Sequence, residues 1–409
     1  PTPCAELSFS DIEIPADVPF DRETDWKGAD TMIPPLATMF TVPNDWNFQD
    51  PACGGMDFIC WPTVAASSMQ TYFPEDGEGI EAWGNSLLVT TLKRGSLYRV
   101  PLSEDGMSVT GPIERFFQSE NRFRDVALSP DYAQDGWIYL AFAEPNFRGN
   151  KAGTAVVRGK LRGDALVEPS VVYTQEPKLS HGTHVGARLV FDDQGHLFVT
   201  QGDNRVGAAT AQELDKLQGK LVRLNLDGSV PQDNPFVGKA GARPEIWSYG
   251  HRNMQGMALD PRTGTLWQSE HGPRGGDEIN LPEAGKNYGW PVITYGENYG
   301  GGPIGEGITT RAGLEQPLKH WTPSIAPSGM AWLRSSRYGQ GWQNSLFVGS
   351  LKFRYLSRLV FDNGRFVREE RLLPDINARI RDVREGPDGL IYLLTDDRNG
   401  RLLRVVPGG

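Results

Sequence analysis

Residues 61–73, WPTVAASSMQTYF, and residues 83–100, WGNSLLVTTLKRGSLYRV, return later in the chain as 321–333, WTPSIAPSGMAWL, and 342–360, WQNSLFVGSLKFRYLSRLV. Trp83 answers Trp342, Asn85 answers Asn344 and Lys93 answers Lys352 at one constant offset. Each copy is followed by a second matching piece, NRFRDV at 121–126 and NARIRDV at 377–383, which sets Arg122 and Arg124 against Arg379 and Arg381. A chain that repeats itself in this way is read first as a repeat architecture.

Four weaker copies lie outside these two. They are ALSPDYAQDGWIYLAFAEP (127–145), LVFDDQGHLFVTQGD (189–203), ALDPRTGTLWQSEHG (258–272) and VREGPDGLIYLLTDD (383–397). Each is an apolar strand, a turn rich in Asp, Gly and Pro, and another apolar strand. Tight hairpins need backbone angles that Gly and Asp adopt at low cost. The six units follow one another at spacings near or above the ~40–50 residues of a propeller blade, and the longer spacings imply inserted loops. The expected fold is therefore all-β: a six-bladed β-propeller over 41–409 with loop insertions on one face, preceded by an amino-terminal arm at 1–40. A pair of β-sandwiches is the rival, but it does not account for evenly distributed repeats. Helical composition is confined to ATAQELDKLQGKL (209–221), one short helix or a loop.

With 48 Gly, 30 Pro and 11 Trp in 409 residues, the composition suits many short strands and turns better than a helical bundle. Lys and Arg number 41 against 51 Asp and Glu, so no basic footprint for nucleic acid is present. No apolar run approaches the ~20 residues of a membrane-spanning helix. A start at Pro1 without a leader segment reads as a mature form. Cys53 and Cys60 share a Gly- and Pro-rich stretch, where a short-loop disulfide and two unpaired thiols are both open; a disulfide implies an oxidising, periplasmic or secreted location. Cys4 is left over.

Six histidines allow each to be weighed singly. His181 and His184 lie in LSHGTHVGARLVFDDQG, a Gly-rich entry to a strand; a general base, a zinc ligand and a packed histidine are the open readings. Arg252 and Asn253, in EIWSYGHRNMQGMALDP, pair a planar cationic fork with an amide that both donates and accepts, a combination suited to an oxygen-rich anion. The stretch SEHGPRGGDEINLPEAGKNYGWP (269–291) is dense in Gly, carboxylate and amide, which suits a hard cation such as calcium; a metal-free structured turn stands beside that reading. Lys352, Arg379 and Arg381 recur at matching blade positions and could converge on an anion over the axis, or pair with Asp382 and its counterparts.

From about Asp125 to its end the chain resembles the soluble PQQ-dependent aldose sugar dehydrogenases, through LDKLQGKLVRLNLDGSVPQDNPF, EIWSYGHRNMQGMALDP and EHGPRGGDEINLPEAGKNYGWP. Residues 41–72, with TVPNDWNFQDPACGGMDFICWPTVAASS, and 83–126 are similar instead to soluble PQQ-dependent glucose dehydrogenase, where this block lies near the carboxyl end. The resemblance implies roles by position. His184 is the base that takes the proton of a sugar's anomeric hydroxyl. Arg252, Asn253, Lys352, Arg379 and Arg381 contact PQQ, and Arg252 is also catalytic, stabilising the charge that builds on the quinone as it is reduced. Gly272 and Pro273 offer backbone carbonyls to a catalytic calcium, Glu278 and Tyr288 belong to a second calcium site, and Cys53 with Cys60 form a disulfide. Departures are Glu120 where the family places a glutamine contact, Thr183 in place of an acidic neighbour of the base, and the duplicate set Lys93, Arg122 and Arg124.

The expected function is PQQ- and calcium-dependent oxidation of a small aldose with electrons passed to an external acceptor. A PQQ-free propeller acting as a binding module and a calcium-dependent lactonase are the rivals.

Overall fold

A computed structural model describes residues 37–38, 66–72, 86–91, 95–103, 110–111, 114–118, 122–145, 150–162, 165–180, 183–362, 364–386, 388–396 and 400–407. Cys4, Cys53, Cys60, Lys93, Glu120 and His181 fall outside them.

The apolar segments read as hairpins pair as antiparallel hairpins. Leu189–Phe191 pairs with His196–Thr200, Met254–Leu259 with Leu266–Glu270, and Ile380–Glu385 with Ile391–Thr395. The turns use the residues expected of them. In Asp192-Asp193-Gln194-Gly195 the Asp192 carboxylate accepts from the Gln194 and His196 amides, and Gly195 takes φ 82, where a side chain is strained.

Successive hairpins join into all-antiparallel sheets. Four-stranded sheets run from the strands that start at Ala66, Leu189, Met254 and Pro327. In a fifth, Ile380–Glu385, Ile391–Thr395 and Arg401–Val405 are completed by Ala37–Thr38 from the opposite end of the sequence. The remaining sheet departs from six like blades: around Arg122–Leu128, Trp137–Pro145 and Lys151–Arg162 it adds both Leu179–Ser180 and the long Ala165–Thr174, making five strands. Among the described residues, regular four-stranded blades thus number five, not six. The innermost strands pack on one another in succession, Ala66–Tyr72 on Arg122–Leu128, then Leu189–Phe191, Met254–Leu259, Pro327–Trp332 and Ile380–Glu385, which returns to Ala66–Tyr72. That arrangement is a β-propeller, with its apolar core between neighbouring sheets, as where Ala127 and Tyr139 meet Leu189, Leu197 and Val222.

Most innermost strands carry a register irregularity at the same place. Pairing skips Arg124, Gln255 and Arg381, and skips Ser328 within a longer gap. A bulge leaves its extra residue unpaired and re-aims it. Those four residues, with Gly186, Ala187 and Arg188, line one axial cavity. The segment 209–221 forms a short 3-10 turn, Ala208–Gln212, then further turns, and enters the strand Lys220–Asn225.

Candidate active site

In an antiparallel hairpin the start of the first strand and the end of the second lie at the same end. His184 precedes the strand Leu189–Phe191 and Asp203 follows His196–Thr200; Arg252 precedes Met254–Leu259 and Gly272 follows Leu266–Glu270. Four side chains and turns that are far apart in sequence are thus delivered to one end of two adjacent sheets.

Close backbone approach completes the convergence. A Cβ on Gly202 would stand 1.9 Å from the His184 carbonyl oxygen, so only glycine lets the two segments cross there. His184 itself takes φ 52, a left-handed conformation stabilised where the Asn204 amide donates to its carbonyl at 3.2 Å. The next residue along, Asp203, donates its amide to the Arg252 carbonyl at 2.9 Å, which joins the two sheets.

His184 Nδ1 lies 2.8 Å from Asp203 Oδ1. A carboxylate accepts only, so Nδ1 carries the proton and Nε2 is left as the basic nitrogen, without a partner among the described residues. Burial holds the imidazole below its ordinary range and Arg252 adds to this, against the opposing pull of Asp203. The ring is therefore neutral at neutral pH, as a base must be. Asp203 is itself fixed by the Arg205 amide on Oδ1 and the Trp290 indole on Oδ2, at 2.7 and 2.9 Å.

Arg252 spans the floor. One guanidinium nitrogen donates to the carbonyls of His271 and Gly272 at 3.0 and 2.5 Å, and another reaches the Tyr299 hydroxyl at 3.4 Å. Its Nε is buried with no partner among the described residues. Beside it, His271 Nε2 donates to the Pro327 carbonyl at 2.7 Å, which leaves Nδ1 as acceptor toward the Asn253 amide at 3.4 Å. Burial pushes His271 down to about 3, with Arg252 contributing, so it too stays neutral.

Arg252 also lines a second cavity, together with Glu270, Gly272, Glu278 and Tyr288 among others. Glu270 accepts from His251 Nδ1, the Arg252 amide and Asn280 at 3.0, 2.6 and 3.1 Å. Glu278 shares Asn280 at 3.1 Å, and burial together with the nearby Glu270 charge pushes it up to about 8. Ser248, His251 and Glu270 are aligned like a nucleophile triad. Ser248 and His251 are fully buried and line neither cavity, so their role is support.

The remaining expected residues are distributed as follows. Asn253 lies beside Arg252, and Pro273 is buried in the turn after Gly272. Arg379 and Arg381 both donate to Asp396, at 3.2 and 2.5 Å, and Arg381 also lines the axial cavity. Lys352 is exposed, its ammonium 5.3 Å from the Phe353 ring, and lines neither cavity. The Tyr288 hydroxyl donates to the Leu281 carbonyl and accepts from the Glu283 amide. Residues the sequence reading passed over are Asp203, His271 and Trp290. Asp203 carried a faint signal, an acid three residues beyond the apolar strand that ends at Thr200; Trp290 carried none beyond its place in the Gly-rich stretch.

The profile of the glucose/sorbosone dehydrogenase family matches residues 110–404. The chain belongs to that family. It is 47% identical over 328 residues to the aldose sugar dehydrogenase YliI of Escherichia coli, covering 79% of this chain and 87% of that protein. The apo-form structure of the E. coli soluble aldose sugar dehydrogenase superposes with a TM-score of 0.74 at 42% identity, over 85% of this chain and 97% of that one. A PQQ-bound aldose sugar dehydrogenase from Streptomyces coelicolor gives 0.63 at 26% identity, over 84% and 95%. Quinoprotein glucose dehydrogenase B of Acinetobacter calcoaceticus is 40% identical over 126 residues, 31% of this chain and 26% of that protein. The family resemblance read from the sequence stands, and the protein is an oxidoreductase of the sugar dehydrogenase kind.

Proposed function

We propose that the chain oxidises an aldose at its anomeric hydroxyl with PQQ and calcium, passes the electrons to an external acceptor, and works in the periplasm or as a secreted protein. In this reading one propeller domain comprises residues 41–409 together with the strand Ala37–Thr38, so the expected boundary at 40 moves back to before Ala37, and the five-stranded sheet serves as the sixth blade.

The observation that carries it is the His184–Asp203 pair at 2.8 Å, with Nε2 open, set against Arg252. His184 Nε2 takes the hydroxyl proton while Nδ1–H remains on Asp203, whose carboxylate steadies the imidazolium that forms. Arg252 is held by two carbonyls, so its charge is fixed in place beforehand and would stabilise negative charge building on the quinone as it is reduced.

The residues fit the two cofactors. PQQ is an anion, and the unpartnered Nε of Arg252, together with Asn253 and Arg381, offers cationic and amide groups to hold it. When bound, PQQ supplies the two-electron acceptor for the sugar C–H bond. The Gly272 carbonyl, one lone pair on Arg252 and a second free in principle, suits a hard cation, with the Pro273 carbonyl next to it. Glu278 beside Glu270 is a pair of acids in one cavity whose mutual repulsion a divalent cation would relieve.

The test is dye reduction by aldoses after the purified chain is mixed with PQQ and calcium. His184→Ala is expected to lower kcat by about 10²–10⁴-fold with the fold retained. Equal rates in both proteins would remove His184 from the chemistry. Calorimetry showing a folded protein that takes up no PQQ would replace this reading with the binding module.

A further inference from the structure

We infer that Trp290 is a positioning residue that couples the base to the arginine: its indole N–H fixes the far oxygen of Asp203 while its ring supports Arg252. The inference rests on the reading of His184 as a base.

Asp203 has two oxygens with different tasks. Oδ1 meets His184 Nδ1 and the Arg205 amide, and Oδ2 receives Trp290 Nε1 at 2.9 Å. The Asp203 side chain is 2% exposed, so water is a poor substitute for that donor. Without it Asp203 could rotate about its last bond, and negative charge would concentrate on the oxygen facing His184. The same indole lies with its ring centre 5.2 Å from the Arg252 guanidinium carbon, a cation–π contact. One rigid side chain therefore sets the distance between a group that accepts a proton and a group that stabilises negative charge.

Trp290 is in turn clamped through its backbone. Its amide donates to the Gly250 carbonyl at 2.8 Å, and its carbonyl accepts from Gln212 at 2.7 Å. Gln212 and Asn287 hold each other by reciprocal amide bonds of 3.1 and 2.7 Å, and Asn287 also receives the Gly289 amide at 2.9 Å. Such support around a side chain that touches two functional groups is what positioning requires. Half-buried packing alone needs neither an indole donor aimed at a carboxylate nor a locked carbonyl.

The charged and titratable groups facing His184 are Asp203, Arg205 and Arg252, with His271 beyond. Trp290→Phe removes the donor from this set and leaves the ring. More negative charge on Oδ1 favours the imidazolium, so the His184 titration should move to higher pH by about half a unit to one unit, roughly a three- to tenfold change in proton affinity. The readout is the His184 imidazole followed by NMR in the cofactor-free protein, which stands whether or not the chain oxidises sugars. In the reconstituted enzyme the acidic limb of kcat/KM should shift alike. Trp290→Leu, which also removes the ring, should add a loss of PQQ affinity that Trp290→Phe does not show. Should Trp290→Phe fail to fold, Gln212→Ala, which frees the Trp290 carbonyl and releases Asn287 but keeps the indole, should move the His184 titration in the same direction by less. A His184 titration unchanged in the folded variant overturns the inference. If that titration shifts while PQQ and aldose give no turnover, the coupling holds and the dehydrogenase reading falls.

Discussion

Lys220 is fully buried, and its ammonium donates to the Thr210 and Gln218 carbonyls at 2.7 and 2.8 Å, pinning the loop that carries Gln212. Burial pushes it down to about 7, against the weak opposing pull of Glu213 and Asp215. Between there and the ordinary lysine value of ~10.4 the unfolded chain binds a proton that the native state has lost, so this residue makes stability rise with pH across that window. Wild type should gain melting temperature over Lys220→Met as pH goes from 7 to 10. Parallel curves would show that the buried amine does not titrate there. His184 shows the opposite side of burial at residue scale. Its type and its Gly-rich setting made it a candidate base in the sequence, but a packed histidine has the same letters. Only the Asp203 oxygen on Nδ1 tells which nitrogen is basic.

The hairpin is the element that places the site, and glycine decides how tightly two hairpins approach. Gly202 is bridged to Asn253 across the sheet boundary and has the His184 carbonyl where a Cβ would go. Gly202→Ala should displace the His184 segment while the sheets, paired elsewhere, remain. A misplacement of order 1 Å costs about 10²-fold in rate. Kinetics with circular dichroism would check it; native-like activity with an unchanged spectrum would mean that the crossing gives way without moving the base. Strand pairing and turn chemistry were legible in the sequence, because alternation and Asp/Gly turns are local. The extra strand Ala165–Thr174 was not, since nothing in a single segment says how many neighbours it will find.

Closure of the ring rests on the repeated Arg-Asp-Val. Asp125 and Asp382, at equivalent places, are both fully buried, and Arg188 bridges them at 3.2 and 3.1 Å. Arg384 donates to both, and the Met69 amide donates to Asp382. Four sheets are tied at the axis in this way. Burial raises the Asp382 carboxyl, but Arg188 and Arg384 outweigh it and hold the group below its usual range. The stabilisation is therefore complete above ~4 and is lost as pH falls below that. Asp382→Asn leaves Arg188 and Arg384 to share the single carboxylate of Asp125, an uncompensated buried positive charge, and should cost about 3–5 kcal/mol in denaturant unfolding at neutral pH. A loss no larger than that of an exposed pair, about 0–1 kcal/mol, would show that the ring closes without it.

By itself the amino-acid sequence determined the hairpin repeats, the all-β class, the family and a set of candidate side chains, because turn preference and apolar alternation act over a few residues. Tertiary structure alone decided which candidates meet. It brought His184 to Asp203, Arg252 to Gly272 and Trp290 to both groups, left Lys352 exposed, and turned the recurrent arginines into partners of Asp396 and liners of the axis. The reason is geometric: proximity between segments tens of residues apart exists only once the innermost strands have closed around a common axis.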